Sequence, residues 1–186
     1  CLAPLFLGFL IPVCVLLNFV IKGYSIINFR EIIDTTITSI SISFVASLTI
    51  MFLSFLMVVV ATYKSNTFQK SVIFLASCGY AFPGTILAVG IVVFVGWLNE
   101  LFYFQISYFV GGFLVLIFAY TLRFLAIGNG SIRSGVTRIN PNLIDASKTM
   151  GRSFLTTIKK VILPLTYTYI LVGGILVFVD ILKELP

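Results

Sequence analysis

Residues 37–61 read ITSISISFVASLTIMFLSFLMVVVA, a run without a single Asp, Glu, Lys or Arg. A helix needs about 20 apolar residues to cross a hydrocarbon layer of ~30 Å. No water reaches that layer, so every backbone amide must bond within its own segment. The run from Ile37 to Ala61 meets this requirement, and four others do so too: Cys1 to Ile21, Val72 to Leu98, Phe109 to Ile127 and Val161 to Val179. Arg123 alone interrupts them. The runs lack the alternating polarity of a barrel strand, whose lumen side would be polar, so helices are expected. Across the whole chain 60% of residues are hydrophobic, 10% are charged and mean hydropathy is +1.16, a balance outside the range of soluble domains. The expected fold is all-α: a polytopic helical membrane protein with about five visible transmembrane helices, forming one domain over residues 1–186.

Positive residues in short loops stay on the cytoplasmic side. Lys64 and Lys70 lie between the second and third runs, and Arg133, Arg138, Lys148, Arg152, Lys159 and Lys160 lie between the fourth and fifth. These two loops therefore share the cytoplasmic face. On the other face, Lys22 and Arg30 are offset by Glu31 and Asp34, and the turn around Glu100 has no Lys or Arg. Trp97, Phe102, Tyr103, Phe104 and Tyr108 crowd that turn, where an aromatic belt at headgroup level is expected. Loop asymmetry and anionic lipid account for the net charge of +6 without any nucleic acid. The chain begins with Cys1 inside an apolar run and ends at Lys183-Glu184-Leu185-Pro186, so it reads as a fragment of a longer polypeptide.

Cys1, Cys14 and Cys78 have no paired spacing, so small core residues are expected rather than disulfides or a metal cluster. Histidine is absent, and there is no HExxH, no nucleophile elbow and no glycine-rich loop ending in Gly-Lys-Ser or Gly-Lys-Thr. The chain is expected to be non-catalytic and to bind no cofactor itself.

The long loop from Gly128 to Pro164 carries the main signal. Asn140-Pro141 suits a helix start, since Asn accepts bonds from free amides and Pro fixes the first dihedral angle. Leu143, Ala146, Ser147 and Met150 then share one helical face beside Asp145, and Gly151 supplies a break. A second short helix follows, with Phe154, Ile158 and Val161 on one side and Arg152 and Lys159 on another, until Pro164 disrupts it before the fifth span. Two amphipathic helices folded about a glycine make a compact knob that fits a groove in a partner. The competing arrangement is an interfacial hairpin lying on lipid with its basic residues toward headgroups.

In the third run Pro83 removes a backbone donor, while Gly79 and Gly84 permit close approach or a kink. Broken helices inside membranes line cavities, which would place Tyr80, Pro83, Gly84 and Thr85 on a translocation pathway. A simple packing kink is the alternative. Asp180, Lys183 and Glu184 close the last run, where ionisable groups face a partner or an aqueous path. Lys183 could instead snorkel outward, with Asp180 paired to it across a turn. Arg123 reads as a topological anchor whose long stem reaches the cytoplasmic interface.

The loop resembles that of the permease subunits of binding-protein-dependent ABC importers, whose pattern is Glu-Ala-Ala, three residues, Gly, nine residues, Ile, any residue, Leu-Pro. Here Ala146, Gly151, Leu163 and Pro164 match, with Asp145, Ser147 and Val161 as conservative departures. The resemblance implies a type I importer permease in which this cytoplasmic loop docks into an ATP-binding subunit. It implies that Asp145, Ala146, Ser147, Gly151, Val161, Leu163 and Pro164 couple ATP-driven closure of that subunit to the membrane helices. Gly79 to Thr85, Leu87 to Gly90, Tyr120 to Ala126, Phe178 to Asp180 and Lys183 to Pro186 together look like ferric iron permeases, which share parts of these segments with thiamine, phosphonate and polyamine permeases. The implied partners are an ATP-binding subunit dimer using ATP and Mg, a second permease half, fused or separate, an external substrate-binding protein and the lipid bilayer. The implied location is the bacterial inner membrane. Carboxylates and Tyr oxygens suit a hard cation such as iron, but they form no closed ligand set, so no tight metal site is expected. A rival reading, an ion-gradient transporter or channel, would need intramembrane charge or paired broken helices, and Pro83 marks one break.

Overall fold

A computed structural model of the chain describes residues 6–23, 28–63, 67–102 and 111–184. Cys1, Lys64, Tyr103, Phe104, Tyr108, Phe109, Leu185 and Pro186 lie outside the described residues, as do the side chains of Lys70, Phe102 and Lys148. The chain divides into two compact units, residues 1–38 and 39–186. No strand occurs among the described residues, and the fold is all-α.

The first unit holds α1, Phe6–Gly23, which opens with a π turn over Phe6–Leu10, and the start of α2, Phe29–Tyr63. The α2 segment is rich in Ser and Thr, whose hydroxyls would be costly in hydrocarbon if left free. Several of them fold back onto their own helix. Thr35 donates to the Glu31 carbonyl at 2.8 Å and Thr38 to that of Asp34 at 2.8 Å, and in the second unit Ser43 donates to Ser39 and Thr49 to Val45 in the same way. α2 begins at Phe29 and ends at Tyr63, beyond both ends of the run expected at 37–61.

The second unit is built on the remainder of α2, on α5 (Gly111–Val136) and on α8 (Leu163–Lys183). Ile50, Ile132, Val177 and Ile181 are essentially fully buried among them, with Phe124 beside them in the same core. The packing follows the membrane pattern of small residues that let backbones meet. A side chain at Gly128 would strike the Ser54 hydroxyl, and one at Gly173 would lie 2.5 Å from Ser131 Oγ and 3.0 Å from the Met51 methyl. Hydroxyls then join the helices: Ser131 donates to the Tyr169 carbonyl at 2.7 Å and Ser47 to that of Gly174 at 2.8 Å. The contacts of Gly135 with Tyr169, Ser131 with Gly173 and Arg123 with Glu184 run in opposite chain directions, so α5 and α8 are antiparallel.

The third run departs from the expected single span over Val72 to Leu98. It is two helices, α3 (Thr67–Cys78) and α4 (Gly84–Phe102), joined by a 3-10 turn at Gly79–Ala81 and by extended backbone at Phe82, φ −82° and ψ 136°. The Pro83 ring excludes the helical conformation from the residue before it, so the helix breaks instead of bending. Only α4 is long enough to span; Ser71–Ala81 is a shorter apolar helix. Among the described residues, five helices of spanning length and apolarity remain: Phe6–Gly23, Phe29–Thr62, Gly84–Leu101, Gly112–Val136 and Phe154–Lys183.

Two further boundaries differ. The fourth span continues past Ile127 to Val136, because Ile132 and Val136 are buried against the core although the segment reads as polar. The helix after Gly151 is not stopped by Pro164. α7 (Phe154–Thr157) runs through a π turn at Ile158–Ile162 into α8. Pro164 falls in the first turn of α8, directly after the π turn, where the bonding ladder changes register and the ring and missing N–H are accommodated without ending the helix. Cys14 is exposed and Cys78 partly so, which corrects the expectation of core cysteines.

Candidate coupling loop and helix break

The loop begins where Asn140 caps α6, Pro141–Thr149: its Oδ1 accepts from the Asn142 amide at 3.0 Å and its carbonyl from Leu143 at 3.0 Å. The helix ends at Gly151 with φ 70°, a left-handed value that glycine adopts without penalty. The Arg152 amide bonds back to the Ser147 carbonyl at 3.2 Å, the reach of a Schellman cap. Ser153 then caps α7, accepting from the Thr156 amide at 3.4 Å. The turn between the short helices is thus set by three local devices: an Asn cap, a left-handed glycine and a Ser cap.

What closes the two helices on each other is a hydrogen bond between the Ser147 and Thr157 hydroxyls at 2.7 Å, both side chains being buried. Ser147 therefore does not share the outward face with Leu143, Ala146 and Met150, as its helical position suggested. It turns inward, and Thr157 is the residue the sequence reading missed. A buried hydroxyl must be bonded, and here the partner comes from the other helix. With Ser147 withdrawn, Leu143, Ala146 and Met150 form an exposed stripe three and four residues apart, with Leu143 49% and Met150 69% exposed. Asp145 is exposed beside them. Below the stripe, Ile144 and Ile158 pack against the main core, and a cleft of about 390 Å³ opens between Thr62, Arg133, Ile139, Ile144 and Asp145.

The remaining loop residues lie around the π turn. Val161 is half-buried, Ile162 is 1% exposed, and Leu163 and Pro164 are exposed. The Leu163 amide reaches the Ile158 carbonyl, and Thr166 donates to the Ile162 carbonyl at 2.8 Å. Asp145, Ala146, Gly151, Leu163 and Pro164 thus stay on the surface of the hinge, whereas Ser147 holds it together from inside.

The helix break forms a second constellation. Gly79 sits so close to the Leu122 carbonyl of α5 that any side chain there would overlap it. Gly84, at the start of α4, faces the Arg123 guanidinium and the Glu184 carboxylate. Arg123 Nη1 donates to the Phe82 carbonyl at 3.2 Å and Nη2 pairs with Glu184 Oε1 at 2.8 Å, with the guanidinium 5.8 Å from the Phe124 ring. The anchor role expected of Arg123, which lies near the middle of α5, is corrected by these partners at the helix break and beyond α8. Tyr80, Pro83 and Thr85 are exposed around the break. Asp180 and Lys183 pair at 3.4 Å across one turn, as their spacing suggested, with Lys183 70% exposed. Glu184 is drawn away from them to Arg123, so the terminal charges form two pairs rather than one cluster.

No curated protein matches the chain. Residues 54–185, well over half of the chain, match the family model described as binding-protein-dependent transport system inner membrane component. That span runs from Ser54 in α2 to Leu185 and includes both the loop and the break. With its five apolar helices, the chain is a multi-pass membrane protein and belongs to the family of binding-protein-dependent transport system inner membrane components.

Proposed function

We propose that the chain is the permease subunit of an ATP-driven importer in the bacterial inner membrane, coupled to a separate ATPase through the loop at 128–164. The family works with an ATPase and a substrate-binding protein and is generally non-catalytic, so hydrolysis is assigned to the partner. The observation that carries the reading is the exposed stripe of Leu143, Ala146 and Met150 on a helix fixed by the buried Ser147–Thr157 bond. A rigid apolar ridge fits a groove in a protein, where helix-in-groove recognition uses anchors at this spacing. Asp145, Ala146, Gly151, Leu163 and Pro164 form the docking surface, and the second permease half, fused or separate, lies beside this one in the same bilayer. Tyr80, Pro83, Gly84, Thr85, Asp180, Lys183 and Glu184 border the translocation pathway.

Ferric iron is the proposed cargo. It rests on the segments 79–90, 120–126 and 178–184, whose pattern looks like that of ferric permeases. The test of the class is a single cysteine at Met150 in membranes holding the full transporter. Cross-linking to an ATP-hydrolysing subunit is expected, and cross-linking only to lipid refutes the reading. The cargo is read separately, as uptake of radiolabelled ferric iron into a deletion strain, with thiamine, phosphonate and polyamine as the competing solutes.

A further inference from the structure

We infer that Arg123 is a positioning residue that ties the end of α8 to the helix break, so that movement of the coupling loop is delivered to Phe82–Gly84. The inference rests on the importer reading above. Three elements meet at one side chain. The guanidinium sits on α5, bonds the Phe82 carbonyl at 3.2 Å and pairs with Glu184 at 2.8 Å just beyond α8. The Phe82 carbonyl can accept because extended backbone at Phe82 takes it out of any helix, and Gly84 leaves the space the two charged groups occupy. The chain from Phe154 to Lys183 is helical throughout, so the loop and Glu184 are opposite ends of one element.

The location argues that this pair does more than decorate a surface. Arg123 lies near the middle of the 26 residues of α5, about 20 Å along the helix from its loop end. The two side chains are 21% and 24% exposed, against 70% for Lys183 in the neighbouring pair. Charges in or beside membrane-spanning segments are expensive and mark functional positions. As pure scaffolding the pair would be a poor choice, because a buried ion pair is commonly matched or bettered by apolar residues of similar volume. It is also incompletely satisfied. Arg123 Nε is buried with no hydrogen-bond partner among the described residues, so the guanidinium uses two arms and leaves a third unmet.

Cys78 precedes the break by one residue and is partly exposed, which makes its thiol a reporter that needs no cargo. The complex with the ATPase subunit, carrying Cys1→Ser and Cys14→Ser, is labelled with a maleimide in the nucleotide-free and vanadate-trapped states. The labelling rate at Cys78 is expected to differ several-fold between the two states. In Arg123→Met/Glu184→Met, where no charge is left unpaired, assembly and melting temperature should persist while that difference is lost. Glu184→Gln should lose it as well. A double variant that keeps the difference overturns the inference, and so does one that fails to assemble, since the pair would then be a structural staple. No difference in the parent complex overturns it too, because the break would not move. A parent chain that captures no ATPase removes the importer reading, and the inference with it.

Discussion

Replacing Gly151 tests whether the loop works as a folded hinge. Its φ of 70° is left-handed, and a Cβ built there meets no atom within 4 Å, so a substitution is opposed by backbone conformation and not by a clash within the chain. The left-handed region costs an L-residue about 1–2 kcal/mol. Against this stand the Ser147–Thr157 bond, about 1 kcal/mol, and the Ser153 cap, about 1 kcal/mol. Gly151→Ala should thus leave the hinge marginal, reducing its folded fraction relative to the open form about 5- to 30-fold. Gly151→Val should be worse, since positive φ is an outlier for a β-branched residue, whereas Gly151→Asn should keep most function because Asn visits that region readily. The assay is recovery of the ATPase subunit by affinity purification through this chain, normalised to its level in the membrane. The expected order is Gly, Asn, Ala, Val. If Asn is as damaging as Val, bulk against the partner is decisive and the backbone argument fails; if Ala is neutral, the hinge does not depend on this φ.

Adjacent glycines in α8 should behave differently. Gly173→Ala meets Ser131 Oγ at 2.5 Å and Cβ at 2.7 Å and should destabilise by about 1–3 kcal/mol, while Gly174→Ala finds its nearest atom at 3.7 Å and should stay within about 0.5 kcal/mol. Melting temperatures in detergent decide this, and equal shifts would contradict the packing described. A double-mutant cycle of Ser147→Ala and Thr157→Val should give a coupling energy of about 0.5–1.5 kcal/mol in denaturant unfolding; additive effects would mean the hydroxyls do not act on each other.

The spans were legible because their cause is local: uninterrupted apolar length is both what the bilayer demands and what the sequence displays. The Asn140 start, the Gly151 hinge and the Asp180–Lys183 pair were legible for the same reason, each being decided within a few residues. Contacts between distant segments were not. Pro83 announced a disturbance, but a full break also needs the Gly79 backbone to lie on Leu122, a neighbour that no local pattern names. Ser147 stands only about 40° around the helix from Leu143, so helical geometry groups them, and only the position of Thr157 turns one inward while the other stays out. Pro164 was read as a stop because the sequence does not reveal the π turn preceding it. Arg123 looked like an anchor because its acceptors, Phe82 and Glu184, lie far away in the chain.

A helix that conveys motion must be stiff along its length and joined firmly at the far end, and α8 can be judged on both counts. Gly173, Val177 and Ile181 recur every four residues and are buried on one face, the row that seats a helix against its neighbours. At the near end lies the π turn at Ile158–Ile162, where the bonding ladder changes register; such turns commonly mark functional positions. At the far end two ion pairs compete for the role of joint. Asp180–Lys183 lies within one turn of the same helix and is largely solvent-exposed, so it contributes little and connects α8 only to itself. Arg123–Glu184 reaches another helix and, through the Phe82 carbonyl, the break. Of the two, only the Arg123 pair can pass a displacement of α8 to a different element, so a variant lacking Lys183 should leave Cys78 reactivity responsive to nucleotide, in contrast to one lacking Glu184.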